Sequence, residues 1–209
     1  MSSRKLSTAA QKLQFYSSEL FQAYDATLEA ITNALDLRDQ ESKGHSMRVT
    51  EMTVEMAKVL NVDEKELKHI RRGALLHDIG NLYVPESILY KQGELTVEEW
   101  VKIHMHPFHA FEMLGPIGYL KFVVDIPYCH HEKWGGDGYP RSLKGEEIPL
   151  AARIFAVIDV YDALTSDRPY RKAWSNNKAL EHIRSERGKH FDPQVVDAFL
   201  EMEKRRKEE

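Results

Sequence analysis

Leu76-His77-Asp78-Ile79-Gly80 sets a histidine and a carboxylate side by side at the end of an apolar segment, with a glycine close behind them. Residues 63–79 read as a helix carrying the pair near its C-terminal end, and Gly80 reads as its stop signal. On such a helix the two side chains lie about 100° apart and serve neighbouring directions of one site. Upstream, residues 46–60 read as a second helix. Residues 10–39 repeat apolar side chains at Leu13, Tyr16, Leu20, Tyr24, Leu28, Ile31 and Leu35, steps of three and four that mark one helical face. Downstream, Thr96-Val97-Glu98-Glu99 reads as a capping box opening a helix to about Leu114. A further helix over 119–133 contains His130-His131, and the Gly-rich run Trp134-Gly135-Gly136-Asp137-Gly138-Tyr139-Pro140 must be a loop. Residues 150–164 are apolar and helical, and Ser166-Asp167-Arg168-Pro169 breaks that run. Two closing helices begin near Ser175 and at Asp192-Pro193, the latter an N-cap followed by proline at the first helical position. No segment alternates convincingly with period two, so the expected fold is all-α.

The chain has 209 residues, enough for one sizeable core, with ordinary hydrophobic (42%) and charged (30%) fractions for a globular protein. Met1-Ser2-Ser3-Arg4-Lys5-Leu6 lacks the apolar stretch of a secretory signal, and no run of apolar residues is long enough to span a bilayer. A single cysteine, Cys129, excludes an intrachain disulfide and fits a reducing compartment, so the expected location is the cytoplasm. The formal charge of −4 gives no electrostatic case for binding a nucleic-acid backbone. Divalent ions held by carboxylates would nevertheless make a local site positive and open it to a small anionic substrate.

His77-Asp78 alone is weak, because such a dipeptide arises by chance. Its chemistry is specific only in company. A carboxylate can offer one oxygen to each of two ions, whereas an imidazole binds one, so the pair can seat one metal and begin a second. Further candidates lie on other helices: His45, His106, His130, His131 and Asp159. Asp159 interrupts the apolar run Ile154-Phe155-Ala156-Val157-Ile158, and a buried lone carboxylate is costly unless paired or metal-bound. Mixed imidazole and carboxylate ligands suit Fe, Mn, Zn or Co better than Mg or Ca. Without cysteine ligands a structural zinc site is disfavoured. Two such ions can activate a water and clamp the attacking and leaving oxygens of a phosphate ester, which points to metal-assisted phosphoester hydrolysis.

The order His45, His77-Asp78, His106, His130-His131, Asp159 resembles the HD phosphohydrolase superfamily. Gly138-Tyr139-Pro140, following His131 by seven residues, is similar to its HD-GYP branch. Arg38-Asp39, Gly44-His45-Ser46, His106-Pro107, His130-His131-Glu132 and the segment from Asp159 to Arg171 extend the likeness, from about Thr27 to Phe199. The resemblance implies an all-α helical bundle with an irregular GYP loop. Its implied activity is hydrolysis of cyclic di-GMP to linear pGpG, with some members continuing to GMP. It also implies two or three divalent ions, iron or manganese first. By this resemblance His45, His77, Asp78 and Asp159 hold one ion and His106, His130 and His131 its neighbour, with Asp78 bridging. Glu41 resembles the subset that binds a third ion. It stands four residues before His45 and would share its helical face if that helix reached so far.

Asn81 departs from the family pattern His-Asp-x-Gly-Lys. An asparagine can donate a hydrogen bond to substrate but carries no charge and is no general acid. Arg168 and Arg171 are the expected phosphate clamps, because the guanidinium fork grips two oxygens at once. Asp162 is expected to orient a ligand or a metal-bound water, and Tyr139 to shape the substrate rim. His69, His104, His109, His182 and His190 read as incidental. Asn81 keeps open a non-hydrolytic cyclic di-GMP sensor or a module that contacts a diguanylate cyclase through the GYP loop. A hydrolase of another nucleotide phosphate is the remaining reading. The expected organisation is an N-terminal helix (1–26) that links or pairs chains as a homodimer, an HD-GYP domain (27–202) and a frayed charged tail (203–209).

Overall fold

The computed structural model describes residues 2–42, 44–167 and 171–208, with side chains from residue 11 onward. Ten α-helices and two short 3₁₀ turns follow one another among them, and no strand forms there. The order is α1 (Ser2–Asp39), α2 (His45–Val59), α3 (Glu64–Leu75), a 3₁₀ turn (Ile79–Tyr83), α4 (Glu86–Leu89), α5 (Val97–His104), α6 (His106–Leu114) and α7 (Asp125–Cys129). A second 3₁₀ turn (Gly145–Glu147), α8 (Leu150–Thr165), α9 (Asn176–Ser185) and α10 (Pro193–Arg206) complete the chain. The expected all-α architecture is what forms.

Side-chain caps explain four of the helix starts. Asp63, Thr96, Ser175 and Asp192 each accept a backbone N–H of the helix they precede, and Thr96 with Glu99 closes a full capping box. Helix α8 is central. Ile154, Phe155, Ala156, Val157 and Ile158 are all buried, so this helix meets neighbours on every side. It packs with α2, α3, α7, α9 and α10 in the larger apolar cluster. A second cluster joins Leu28 and Leu35 of α1 to Leu75, Leu76 and Ile79, and to Ala110 and Leu114 of α6. His77 and Asp78 lie in sequence between residues of this second cluster, while Phe155 of the first packs 4.8 Å from the His77 ring.

Several sequence-based boundaries need correction. Helix α3 stops at Leu75, so His77 and Asp78 occupy the turn between α3 and the 3₁₀ segment rather than helical positions. The long helix expected from Thr96 breaks at Met105, because Pro107 at the start of α6 has no N–H to continue it. His130 and His131 follow the five-residue helix α7 instead of lying within a long one. Glu41 is not on the helix of His45: α1 ends at Asp39, Gln40 turns left-handed at φ 54°, and α2 begins at His45 itself. Glu203, assigned to a frayed tail, is buried in α10, where its carboxylate accepts the Tyr161 hydroxyl at 3.1 Å.

Candidate metal centre

Seven candidate ligands from five parts of the chain converge. Atoms of Asp78, His106, His130 and His131 lie within 4.8 Å of one another, and so do atoms of His45, His77 and Asp159. Asp78 joins the two groups. Its Oδ2 lies 3.3 Å from His77 Nε2, while its Oδ1 lies 3.3 Å from His106 Nε2 and 3.5 Å from His130 Nε2. On the far side His45 Nε2 lies 3.3 Å from Asp159 Oδ1.

The backbone decides which nitrogen each ring presents. His77 Nδ1 meets the Ala74 carbonyl at 2.9 Å, His106 Nδ1 the Ile103 carbonyl at 2.7 Å and His130 Nδ1 the Ile126 carbonyl at 3.0 Å. A carbonyl only accepts, so Nδ1 carries the proton in all three rings. His45 Nδ1 donates in the same way to Asp162 Oδ2 at 2.8 Å. Four Nε2 atoms are therefore turned inward. Pro107 contributes directly: an ordinary residue there would donate its N–H to Ile103, and proline leaves that carbonyl to His106.

These contacts fit divalent metal ions. His106 Nε2 and His130 Nε2 face each other at 3.3 Å beside a carboxylate oxygen, and in neutral rings both point lone pairs at the same space. Ligands about 2.1 Å from one ion in tetrahedral or octahedral geometry stand roughly 3.0–3.4 Å apart, close to the spacing seen here. Charge divides the ligands: burial would lower His45 and His77, yet their carboxylate neighbours raise them to about 10 and about 9, so an ion would have to displace those protons. Burial would raise the Asp78 carboxyl, yet the charge of the neighbouring His77 holds it well below the usual carboxylate range. Burial pushes His131 and His130 down, as neutral ligands require.

Asp162 stands behind His45. Arg48 grips its carboxylate with two nitrogens, Nε to Oδ1 at 2.7 Å and Nη2 to Oδ2 at 2.9 Å. Glycines set two close approaches. A Cβ on Gly80 would lie 1.8 Å from the His106 carbonyl oxygen, so the glycine lets α6 sit directly on the His77-Asp78 turn. A Cβ on Gly138 would lie 2.4 Å from the Lys133 nitrogen and 2.6 Å from the His131 carbonyl oxygen, so Gly138 holds the GYP loop against the backbone of residues 131–133. Glu132, buried, accepts the backbone N–H of Arg141 and of Leu143 and ties the same loop down. Tyr139 consequently stacks on His131, with ring centroids 4.6 Å apart.

Other expected residues fall elsewhere. Glu41 is in neither ligand group, but it lines a small cavity together with His77 and Asp78. Asn81 donates to Asp39 at 2.9 Å, and its own carbonyl accepts from Arg38. Arg171 bonds the carbonyls of Ala163 and Leu164 at the end of α8 and lies over the Trp174 ring. Arg168 lies outside the described residues. His109 stacks on Tyr83 and His182 contacts Trp174, both apart from the ligand groups. Arg48, Glu132 and the carbonyls of Ala74, Ile103 and Ile126 were invisible as site residues in the sequence. Only Pro107 hinted at one of them, through the N–H it lacks.

A family profile described as HD domain matches residues 29–195. The chain belongs to the HD domain family. Among curated HD relatives, the cyclic di-GMP phosphodiesterase response regulator RpfG of Xanthomonas campestris is 38% identical over 91% of this chain and 51% of its own length. A 3'3'-cGAMP-specific phosphodiesterase of Vibrio cholerae is 35% identical over 82% of this chain and 33% of its own. A cyclic di-GMP phosphodiesterase of Thermotoga maritima is 37% identical over 94% and 53%. This HD domain thus spans about half the length of those relatives, or less. Two solved structures share its fold. A cyclic GMP-AMP specific phosphodiesterase of Vibrio cholerae aligns with TM-score 0.61 and 21% identity over 85% of this chain and 48% of that one. An HD-GYP-type protein of Bdellovibrio bacteriovorus aligns with TM-score 0.62 and 18% identity over 77% and 51%.

Proposed function

We propose that this HD domain is a metal-dependent phosphodiesterase of cyclic dinucleotides, with cyclic di-GMP as substrate and pGpG, then GMP, as products. The observation that carries the proposal is the division of Asp78 between two ligand groups, Oδ2 toward His77 and Oδ1 toward His106 and His130. One carboxylate serving two sites is the arrangement a phosphodiester needs. Ions bound there, iron or manganese by ligand type, neutralise phosphate charge and lower the pKa of a water molecule. His45, His77 and Asp159 would hold one ion and His106, His130 and His131 the other. Asp162, gripped by Arg48, fixes the tautomer and angle of His45. Tyr139 closes one side of the site over His131 and limits water there. Glu41 is the residue for a third ion, given the cavity it shares with His77 and Asp78. No helix among the described residues is long and apolar enough to cross a membrane. The reading includes a cytoplasmic location, which the single buried thiol of Cys129 favours.

The test is incubation of anaerobically iron- or manganese-loaded protein with cyclic di-GMP and with 3'3'-cGAMP. Release of a linear dinucleotide or mononucleotide is expected. Tight binding without product would replace the enzyme by a sensor, the reading favoured by an asparagine tied to Asp39 at position 81. Metal analysis separates two ions per chain from three.

The reading extends to α1 as a pairing element for a homodimer. Its Leu28, Thr32 and Leu35 are buried against its own domain, whereas Leu13, Tyr16 and Leu20, spaced three and four apart, are exposed. A helix standing alone in water is marginal, and a second copy brings the same stripe in register. Light scattering is expected to give a dimer that L13E/L20E converts to monomer.

A further inference from the structure

Beside the metal centre lies a cavity of about 840 Å³, walled by the end of α1, the segment from Ile88 to Leu95, and α5. It adjoins the ligands at two points. Asp39 and Glu41 line it and also line the small cavity at His77 and Asp78. Ile103, another wall residue, supplies the carbonyl that orients His106. Its volume falls in the range that small-molecule sites occupy, roughly 300–1,000 Å³.

The walls suit a flat heteroaromatic ring. Leu89 and Leu95 provide apolar surface, and Trp100 lines the cavity with 48% of its surface exposed. The indole also ends an aromatic row that starts at the metal ligands. His131 stacks on Tyr139 at 4.6 Å, Tyr139 on His104 at 4.1 Å, and His104 meets Trp100 at 5.4 Å. Three ring-to-ring steps therefore connect a metal ligand to the cavity wall. The cation of the wall, Lys91, is held by Glu99 at 2.6 Å, so the pocket is not arranged as a second phosphate site.

The geometry points to this cavity as a nucleobase pocket in which a purine of the dinucleotide stacks on Trp100 while its phosphodiester sits at the metal centre. Stacking supplies affinity in such a pocket without touching the metals, because every base offers a π face. This inference rests on the phosphodiesterase reading and deepens it. Trp100 is a substrate-binding residue with no part in the bond-breaking step.

The experiment compares wild type, Trp100→Ala and Trp100→Phe, each manganese-loaded, on cyclic di-GMP and on its tetrahydrofuran abasic analogue, the same sugar–phosphate ring without a base. Trp100→Ala is expected to raise KM for cyclic di-GMP by about tenfold or more, with kcat within about threefold. Trp100→Phe should restore most of the affinity, and both variants should keep wild-type metal content and wild-type turnover of the base-free diester. An unchanged KM for cyclic di-GMP in Trp100→Ala overturns the pocket, as does an equal loss on both substrates. If wild type hydrolyses neither diester, the phosphodiesterase reading fails instead. Calorimetric Kd values for cyclic di-GMP then decide the pocket alone: tenfold weaker binding in Trp100→Ala upholds it, and equal or absent binding in both proteins overturns it.

Discussion

His45, His77, His106 and His130 are each fixed by an acceptor on the outer nitrogen, and for His45 that acceptor is a side chain. Asp162 holds His45 Nδ1 and is itself held by Arg48, so a three-residue chain ends at His45 Nε2, a candidate ligand atom. Asp162→Asn retains the shape but can offer an amide N–H in place of an acceptor. It is expected to weaken metal binding by about 10–100-fold, measured by competition against a chromogenic chelator. Unchanged affinity would mean that Asp162 does not govern His45. Gly80 acts through absence. Any Cβ there collides with the His106 backbone, so Gly80→Ala is expected to push α6 off the His77-Asp78 turn. The measurable result is loss of metal stoichiometry together with a lower Tm. Retention of both would show that the backbone yields cheaply. Neither effect can be read from the motif itself, where Gly80 resembles an ordinary helix stop.

At the scale of elements, the interruption of a helix matters more than its continuation. A single helix from Val97 to Leu114 satisfies the hydrophobic pattern, but Pro107 splits it and leaves the Ile103 carbonyl for His106 Nδ1. Pro107→Ala returns a competing N–H to that carbonyl. We expect several-fold weaker metal binding in the His106, His130 and His131 group, with the His45, His77 and Asp159 group unaffected, so titration should separate into two unequal steps. A uniform change in both steps would count against this role. Helices α8 and α10 were legible because their signals are local: an unbroken apolar run in the one, and the Asp192 cap followed by Pro193 in the other. The turn carrying His77-Asp78 and the loop carrying Tyr139 are set by contacts from distant residues. Periodicity has no term for those contacts, so both boundaries were misjudged.

At the scale of the whole molecule, the metal centre is a knot of charges that folding must hold together before any ion binds. Burial works against a charged His45, but the hydrogen bonds it donates to Asp159 and Asp162 push its pKa up to about 10. For His77 burial is likewise outweighed, chiefly by the Asp78 charge, and the value rises to about 9. Histidines raised in this way add stability that is full below their unfolded value of 6.5 and is lost as pH climbs through about 9 to 10. Burial would raise Asp162, while its bonds to His45 and Arg48 hold it at about 2. Its contribution is therefore present above 3.8 and lost as pH falls through about 2. Chelator-treated protein should accordingly show its highest Tm between about pH 4 and 6.5 and a decline toward pH 10. Ions require neutral imidazoles, so the Tm gained on adding manganese should grow from pH 6.5 to 9. A gain independent of pH would contradict this proton exchange. By itself the sequence determined the all-α class, the helix caps and the types and order of the ligands, because these depend on spacing and on side-chain chemistry. Tertiary structure alone decided which nitrogen each histidine turns inward, how Asp78 divides its oxygens, and that Asn81 and Arg171 are bonded to protein groups. Those outcomes combine two ranges of contact: carbonyls three or four residues upstream of His77, His106 and His130 and seven or eight upstream of Arg171, and side chains brought together across 24 to 117 residues of chain, at distances only packing sets.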